Sequence, residues 1–96
     1  MDRAQAIELL GKSKRELSAR YGVTRLALFG SMARDAARAD SDIDILVAFD
    51  GAATSERYFG VQFYLEDLFG RPVDLISEKA LRPELRPYIE KEAVHV

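Results

Sequence analysis

Leu26-Ala27-Leu28-Phe29-Gly30-Ser31, followed after ten residues by Asp42-Ile43-Asp44-Ile45-Leu46-Val47-Ala48-Phe49, is the stretch on which the fold turns. Leu26 to Phe29 is short, apolar and halted by glycine, which predicts a buried strand. Asp42 to Phe49 alternates. Ile43, Ile45, Val47 and Phe49 fall on one face, while Asp42, Asp44 and Leu46 fall on the other, as in a strand. Between the two, Ser31 to Arg38 is rich in alanine and predicts a short helix, and Ala39-Asp40-Ser41 predicts a turn.

Upstream, Asp2 and Gln5 form the pattern of a capping box. Ala6, Ile7, Leu10, Leu17 and Tyr21 recur at helical spacing, and Gly22 supplies a stop. Lys12, Lys14, Arg15 and Arg20 lie mostly off that stripe and read as a solvated face. Downstream, Asp50-Gly51 ends the second strand. Ser55 to Phe69 predicts a helix, with Tyr58, Val61, Leu65 and Leu68 on its apolar side, Phe59 and Phe63 widening that side, and Gly70 closing it. Pro72-Val73-Asp74-Leu75-Ile76 predicts a third strand, placed at an edge or an entry by its proline. Pro83 and Pro87 suit first turns. They predict one helical turn near Pro83 and a short helix from Pro87 to about Glu92, with Val94-His95-Val96 as a candidate small strand. The expected class is α/β: a small mixed sheet of about three strands with flanking helices. At 96 residues the chain fits one domain spanning 1–96.

Composition narrows the chemistry. There is no cysteine, which excludes disulfides and thiolate metal sites. The single histidine, His95, leaves no material for a His-rich zinc site or a Ser-His-Asp triad in the core. Carboxylates, hydroxyls and a hard metal remain. The formal net charge of −2 argues against direct binding of long nucleic acid. No apolar run is long enough to span a membrane, and the start resembles no signal peptide, so a cytoplasmic location is expected.

Each part of the central stretch has a physical task. Gly30 permits a sharp turn and the close approach of a ligand. Ser31 opens a helix whose free N–H groups suit a phosphate, and its hydroxyl can donate to a phosphate oxygen. Asp42 and Asp44, two apart on a strand, point to one face with Cα atoms roughly 6.6 Å apart. They can share one divalent ion or bridge a pair about 3.5–4 Å apart. Carboxylate and triphosphate oxygens together make a usual magnesium environment. Asp74 sits between Val73 and Leu75, where a charge is costly unless paired or metal-bound. If the third strand lies beside the second, Asp74 joins the other two, and three converging carboxylates call for a cation. Asp-x-Asp alone, or Gly-Ser alone, is a weak signal. The combination, with each part after an apolar strand, is far more specific.

Phe29-Gly30-Ser31-Met32-Ala33-Arg34 and Ser41-Asp42-Ile43-Asp44-Ile45-Leu46-Val47 resemble the signature of the polymerase-beta-type nucleotidyltransferase superfamily. The short length and Pro72-Val73-Asp74-Leu75 resemble most the minimal nucleotidyltransferases of bacteria and archaea, the MntA-like antitoxins. The resemblance covers nearly the whole chain. It implies Asp42, Asp44 and Asp74 as the catalytic, metal-binding triad, with Gly30 and Ser31 holding the triphosphate. It further implies that the catalytic domain is the entire protein, with ATP as donor. The implied partner is a HEPN-domain toxin, some of which are neutralised by transfer of AMP to a tyrosine hydroxyl.

Arg34, one turn after Ser31, is placed either to reach the triphosphate or to pair with a nearby Asp. Arg38 reads as solvated, and Ser41 as a turn residue that orients the loop. Tyr58 and Phe63 could stack on a base, although their spacing suits core positions better. The expected reaction is attack of an acceptor hydroxyl on the α-phosphorus with loss of pyrophosphate, served by two magnesium ions. One would stabilise the attacking oxygen and the other the leaving group. Asp74 would bind the ion nearer the acceptor and is placed to take its proton. The rival reading is an antitoxin that acts only by binding and covering its partner.

Overall fold

Asp2 opens the first helix, α1 (Arg3–Tyr21), through the expected capping box. Its carboxylate accepts from the Gln5 N–H at 2.9 Å, while the Gln5 side chain accepts from the Asp2 N–H at 3.0 Å. Gly22 ends α1 in the left-handed region, at φ 72°. The chain then enters β1 (Val23–Phe29), which begins three residues earlier than the apolar run suggested. The computed structural model describes residues 1–96.

The helix after β1 is much shorter than expected. α2 covers only Gly30–Ala33. No side chain caps it at its start, and the Ala33 carbonyl is taken by Arg3 Nε at 2.9 Å. The Ala36 N–H folds back on the Ser31 carbonyl at 2.8 Å, and Asp35 turns the chain with a φ of 58°. A single turn without a cap has nothing to propagate it. Ser41 orients the following loop as anticipated, its hydroxyl accepting from the Arg38 N–H at 2.9 Å. β2 (Ile43–Phe49) follows, with Asp42 just ahead of it rather than inside it.

Thr54 caps α3 (Ser55–Phe69), and Gly70 closes it at φ 66°. β3 (Val73–Ser77) leads into a 3₁₀ turn, Glu78–Ala80, which the sequence pattern did not reveal. α4 (Arg86–Glu92) and the two-residue β4 (Val94–His95) complete the chain. The sheet has four strands in the order β3-β2-β1-β4, not about three. β1 pairs antiparallel with both β2 and β4, and β2 pairs parallel with β3. The candidate strand at the end of the chain forms as β4, pairing Val94 with Leu28 and His95 with Ala27, and it is the fourth strand of the sheet.

The two faces of the sheet differ. Leu26, Leu28, Ile43, Ile45, Val47, Val73 and Leu75 pack beneath α1 and α3, against Leu10, Leu17, Val61, Leu65 and Phe69, in a core of 16 buried residues. The opposite face buries only Ala27, Phe29, Leu46 and Leu81, edged by Ile76, Ile89 and Ala93. β3 is an edge strand, as its proline implied. α3 blunts that edge: Gln62 Nε2 donates to the Val73 carbonyl at 3.3 Å, the Tyr58 hydroxyl donates to the Leu75 carbonyl, and Glu66 accepts from the Val73 N–H at 3.1 Å. Phe59 and Phe63 do not widen the buried side of α3. They stand 49% and 61% exposed, stacked with ring centroids 6.2 Å apart. No helix is long and apolar enough to cross a membrane.

Candidate active site

The parallel register of β2 and β3 sets Asp44 directly beside Asp74. The antiparallel register of β1 and β2 sets Asp44 opposite Phe29, so Gly30 and Ser31 start where the carboxylates stand. Alternation puts Asp44 and Asp74 on the thinly covered face, in line with Leu46 and Ile76. Asp42 joins them from the loop before β2. Asp74 and Asp42 are exposed and Asp44 is half-buried. The cost of burying a charge at Asp74, expected from its apolar neighbours, is therefore absent. Val73 and Leu75 point to the other face.

Asp44 shows the electrostatic strain of the cluster. Burial raises its pKa from 3.8 to about 6, helped by the Asp74 charge, a hydrogen bond shared with Asp74 and the Asp42 charge, with Arg34 pulling the other way. Burial also raises the Tyr58 hydroxyl, with the Asp74 charge second. A carboxylate pair that retains a proton this far up the pH scale is one that a cation would stabilise. The oxygen-only donor set suits a hard divalent ion such as magnesium, and Asp42, Asp44 and Asp74 are the residues that could hold it. No three acidic or histidine side chains stand close enough together to hold an ion by themselves, so the expected convergence of all three carboxylates is not seen; only Asp44 and Asp74 are set side by side. Oxygens of a bound phosphate or of water would complete such a shell.

Gly30 has a sharper role than its sequence context suggests. Its φ is 72°, and a Cβ there would overlap the Asp44 carboxylate, with Asp44 Cγ at 2.8 Å and Asp44 Cβ at 3.0 Å. The close approach that demands glycine is thus by Asp44 itself. Because α2 is a single turn, its dipole contributes little. The groups suited to an anion are the Gly30 N–H and the Arg34 guanidinium. Both are already engaged, by one side chain that the sequence pattern did not single out: Glu92 accepts from the Gly30 N–H at 3.2 Å and from Arg34 Nη1 at 2.9 Å. Arg34 therefore has an acidic partner, but it is Glu92 and not an Asp. Nothing in a Lys-Glu pair at a helix end distinguishes such a residue from a solvated one. His95 is exposed in β4, paired with Ala27.

The concave surfaces of the molecule lie elsewhere. The roomiest, about 670 Å³, runs along the β3 edge past Tyr58, Leu75, Ile76 and Lys79. None is lined by Asp42, Asp44 or Asp74. The carboxylates stand on an open surface.

Comparison with known proteins shows the family and the fold. The nucleotidyltransferase domain profile matches residues 10–96. Protein adenylyltransferase MntA of Thermococcus cleftensis is 36% identical over 88 residues, spanning 92% of this chain and 89% of that protein. A solved structure of a candidate minimal nucleotidyltransferase superposes with a TM-score of 0.82 at 39% identity, covering 98% of this chain and 95% of the other. A chain from the complex of a tri-AMPylated HEPN toxin with an MNT antitoxin, from Shewanella oneidensis, shares the fold at a TM-score of 0.62 and 19% identity, covering 97% and 66%. A profile match across most of the chain, near-full-length relatives and a four-strand mixed sheet of the same shape lead to one assignment: the chain belongs to the nucleotidyltransferase domain family of enzymes, in its minimal, MntA-like branch.

Proposed function

We propose that the chain is a magnesium-dependent adenylyltransferase that moves AMP from ATP to a hydroxyl of a partner protein, a HEPN-type toxin. The observation that carries this reading is the pairing of Asp44 with Asp74 in register, beside Gly30 and Ser31. In the reaction the acceptor oxygen bonds to the α-phosphorus, the bond from that phosphorus to the bridging oxygen breaks, and pyrophosphate departs. A divalent ion, or two, held by Asp42, Asp44 and Asp74 would screen the triphosphate and lower the pKa of the acceptor hydroxyl. The Gly30 N–H, the Ser31 hydroxyl and the Arg34 guanidinium are the donors that orient the β- and γ-phosphates for in-line attack. Asp74, exposed on the edge strand, is open to an incoming hydroxyl, and it takes the hydroxyl proton.

The partner follows from the openness of the site. Holding an acceptor in near-attack geometry is worth about 7–11 kcal/mol of barrier, and no concavity of this chain is lined by the carboxylates. A second macromolecule must supply both the docking surface and the hydroxyl. A relative named for protein adenylylation and a fold neighbour bound to an AMP-modified HEPN toxin support that class of acceptor. The test is co-expression with a HEPN-type protein encoded beside this chain. The expected result is a complex, and a partner heavier by one or more AMP units that stays unmodified with Asp44→Asn. A complex that suppresses toxicity equally well with Asp44→Asn, with no mass shift in either case, would establish neutralisation by binding alone.

A further inference from the structure

Glu92 is the last residue of α4, far along the chain from the residues it touches. Its two carboxylate oxygens divide between the Gly30 N–H, at 3.2 Å, and the Arg34 guanidinium, at 2.9 Å. A backbone N–H and a guanidinium bound by one planar anion is the contact set that a phosphate group would make. The carboxylate and a triphosphate carry like charge and need the same donors, so they cannot both occupy the cradle. Resting on the triphosphate reading of Gly30 and Arg34 above, we propose that Glu92 is an internal anion that closes the phosphate cradle of the free protein, and that a nucleoside triphosphate binds by displacing it.

The segment that carries Glu92 is built to let go. α4 has seven residues, none of them buried, and no side-chain cap at its start. A helix so short is not stable by itself. It is held by half-buried Ile89 and Ala93 against the small cluster of Ala27, Phe29, Leu46 and Leu81, by Arg86, which donates to the Glu78 carbonyl at 3.1 Å, and by the two-residue β4, beyond which the Val96 carbonyl accepts from Lys14 Nζ at 2.7 Å. The Glu92 side chain is 29% exposed and the Arg34 side chain 55%, so water can replace either partner during exchange. Few buried contacts mean that local opening is inexpensive. Displacement also returns Arg34 to the phosphates, which makes the guanidinium available only when nucleotide is bound.

Calorimetry of magnesium–ATP binding to the unmodified chain, Glu92→Gln and Glu92→Ala decides the matter, with melting curves to verify folding. Glu92→Gln should bind about three- to fivefold more tightly, the size expected for removing a partly exposed ion pair that competes with ligand. Glu92→Ala should gain at least as much. Unchanged or weaker affinity in both folded variants would make Glu92 a support of the cradle and overturn its role as a displaced anion. If the unmodified chain binds ATP, loses that binding in Asp44→Asn and is indifferent at Glu92, only the displacement fails. If none of the proteins binds ATP, the triphosphate reading fails and displacement with it. Should the variants not fold, the Glu92 carboxyl carbon of the unmodified chain can be followed by NMR during an ATP titration. A resonance that moves together with the Gly30 amide supports displacement, and one that stays fixed while that amide moves refutes it.

Discussion

One face of the sheet carries Ile43, Ile45 and Val47 under two long, capped helices; the other carries Asp44, Leu46 and Asp74, and a 3₁₀ turn and a seven-residue helix leave its carboxylates open. The alternation of one strand supplies both faces, so adjacent residues of β2 belong to different tasks. Beneath α1 and α3, each added apolar contact deepens a close-packed core. On the opposite face, burial is confined to four residues near the middle, and the sheet end is left to carboxylates, a glycine and an arginine. The contrast teaches where each requirement can be met. In the proposed reaction a nucleotide and a partner's hydroxyl could reach only a face that is not sealed, and a domain of this size can leave one face open only if the other supplies most of the stability.

The contrast can be broken most directly by truncation. Leu65→Ala, in the fully buried helix face, should cost about 3–4 kcal/mol in denaturant unfolding, within the usual range for a buried leucine. Leu81→Ala, on the thin face, should cost about 2 kcal/mol or less, because the loosely held tail can settle into the space. Equal losses would mean that the tail folds as tightly as the main core. Gly30→Ala comes next. The left-handed backbone at φ 72° alone costs roughly 1–2 kcal/mol for a residue with a Cβ. The new methyl would also push against the Asp44 carboxylate. A loss of about 2 kcal/mol, together with loss of ATP binding, is expected. Full ATP affinity in a folded Gly30→Ala protein would separate the glycine from the site.

These two faces were unequally legible in the sequence. Helix caps and long periodic stretches are local signals, so Asp2, Gln5, Gly22, Gly70 and the full extent of α3 could be read directly. The pairing of Asp44 with Asp74 required only that β3 lie beside β2. What could not be read lies on the thin face and depends on distant partners. α2 stops after one turn because of Arg3 and the fold-back onto Ser31; β4 was legible as a candidate strand but not its place beside β1; Glu92 meets Gly30 only once the tail has crossed the sheet end. Phe59 and Phe63 misled because an aromatic at helical spacing does not reveal how far round the helix the cover extends.

Asp44 gives a test in which pH acts with opposite signs on stability and on ligand binding. Its pKa is raised in the folded chain to about 6, so between about pH 4 and pH 6 the folded form holds a proton that the unfolded form has lost. The stability it contributes is therefore present at low pH and is lost as pH rises through that window. Asp44→Asn should flatten this dependence and leave the melting temperature at pH 7 unchanged or higher. Metal-dependent ATP binding should run the other way, weakening below pH 6 by up to about tenfold per pH unit as the proton competes with the ion. Calorimetry between pH 5 and pH 8 would expose the opposition. A binding profile flat across pH 6 would remove Asp44 from the metal site.

The smallest effect is expected where the two faces meet, at the β3 edge. Tyr58 belongs to α3 and so to the sealed face. Yet its hydroxyl donates to the Leu75 carbonyl, one residue from Asp74, and the Asp74 charge helps raise its pKa. Tyr58→Phe keeps the ring and removes one half-buried hydrogen bond, which should cost about 1 kcal/mol of stability. If Tyr58 serves only to cover the edge, ATP affinity should be unchanged and AMP transfer to the partner should fall by no more than the loss of folded protein explains. The Leu75 carbonyl then loses its partner on the edge strand, so the edge should also become more prone to self-association, measurable by light scattering near the melting temperature. A drop in transfer tenfold or more at unchanged stability would put Tyr58 among the groups that meet the acceptor. The chemistry would then reach round the sheet edge onto the face that otherwise only holds the fold together.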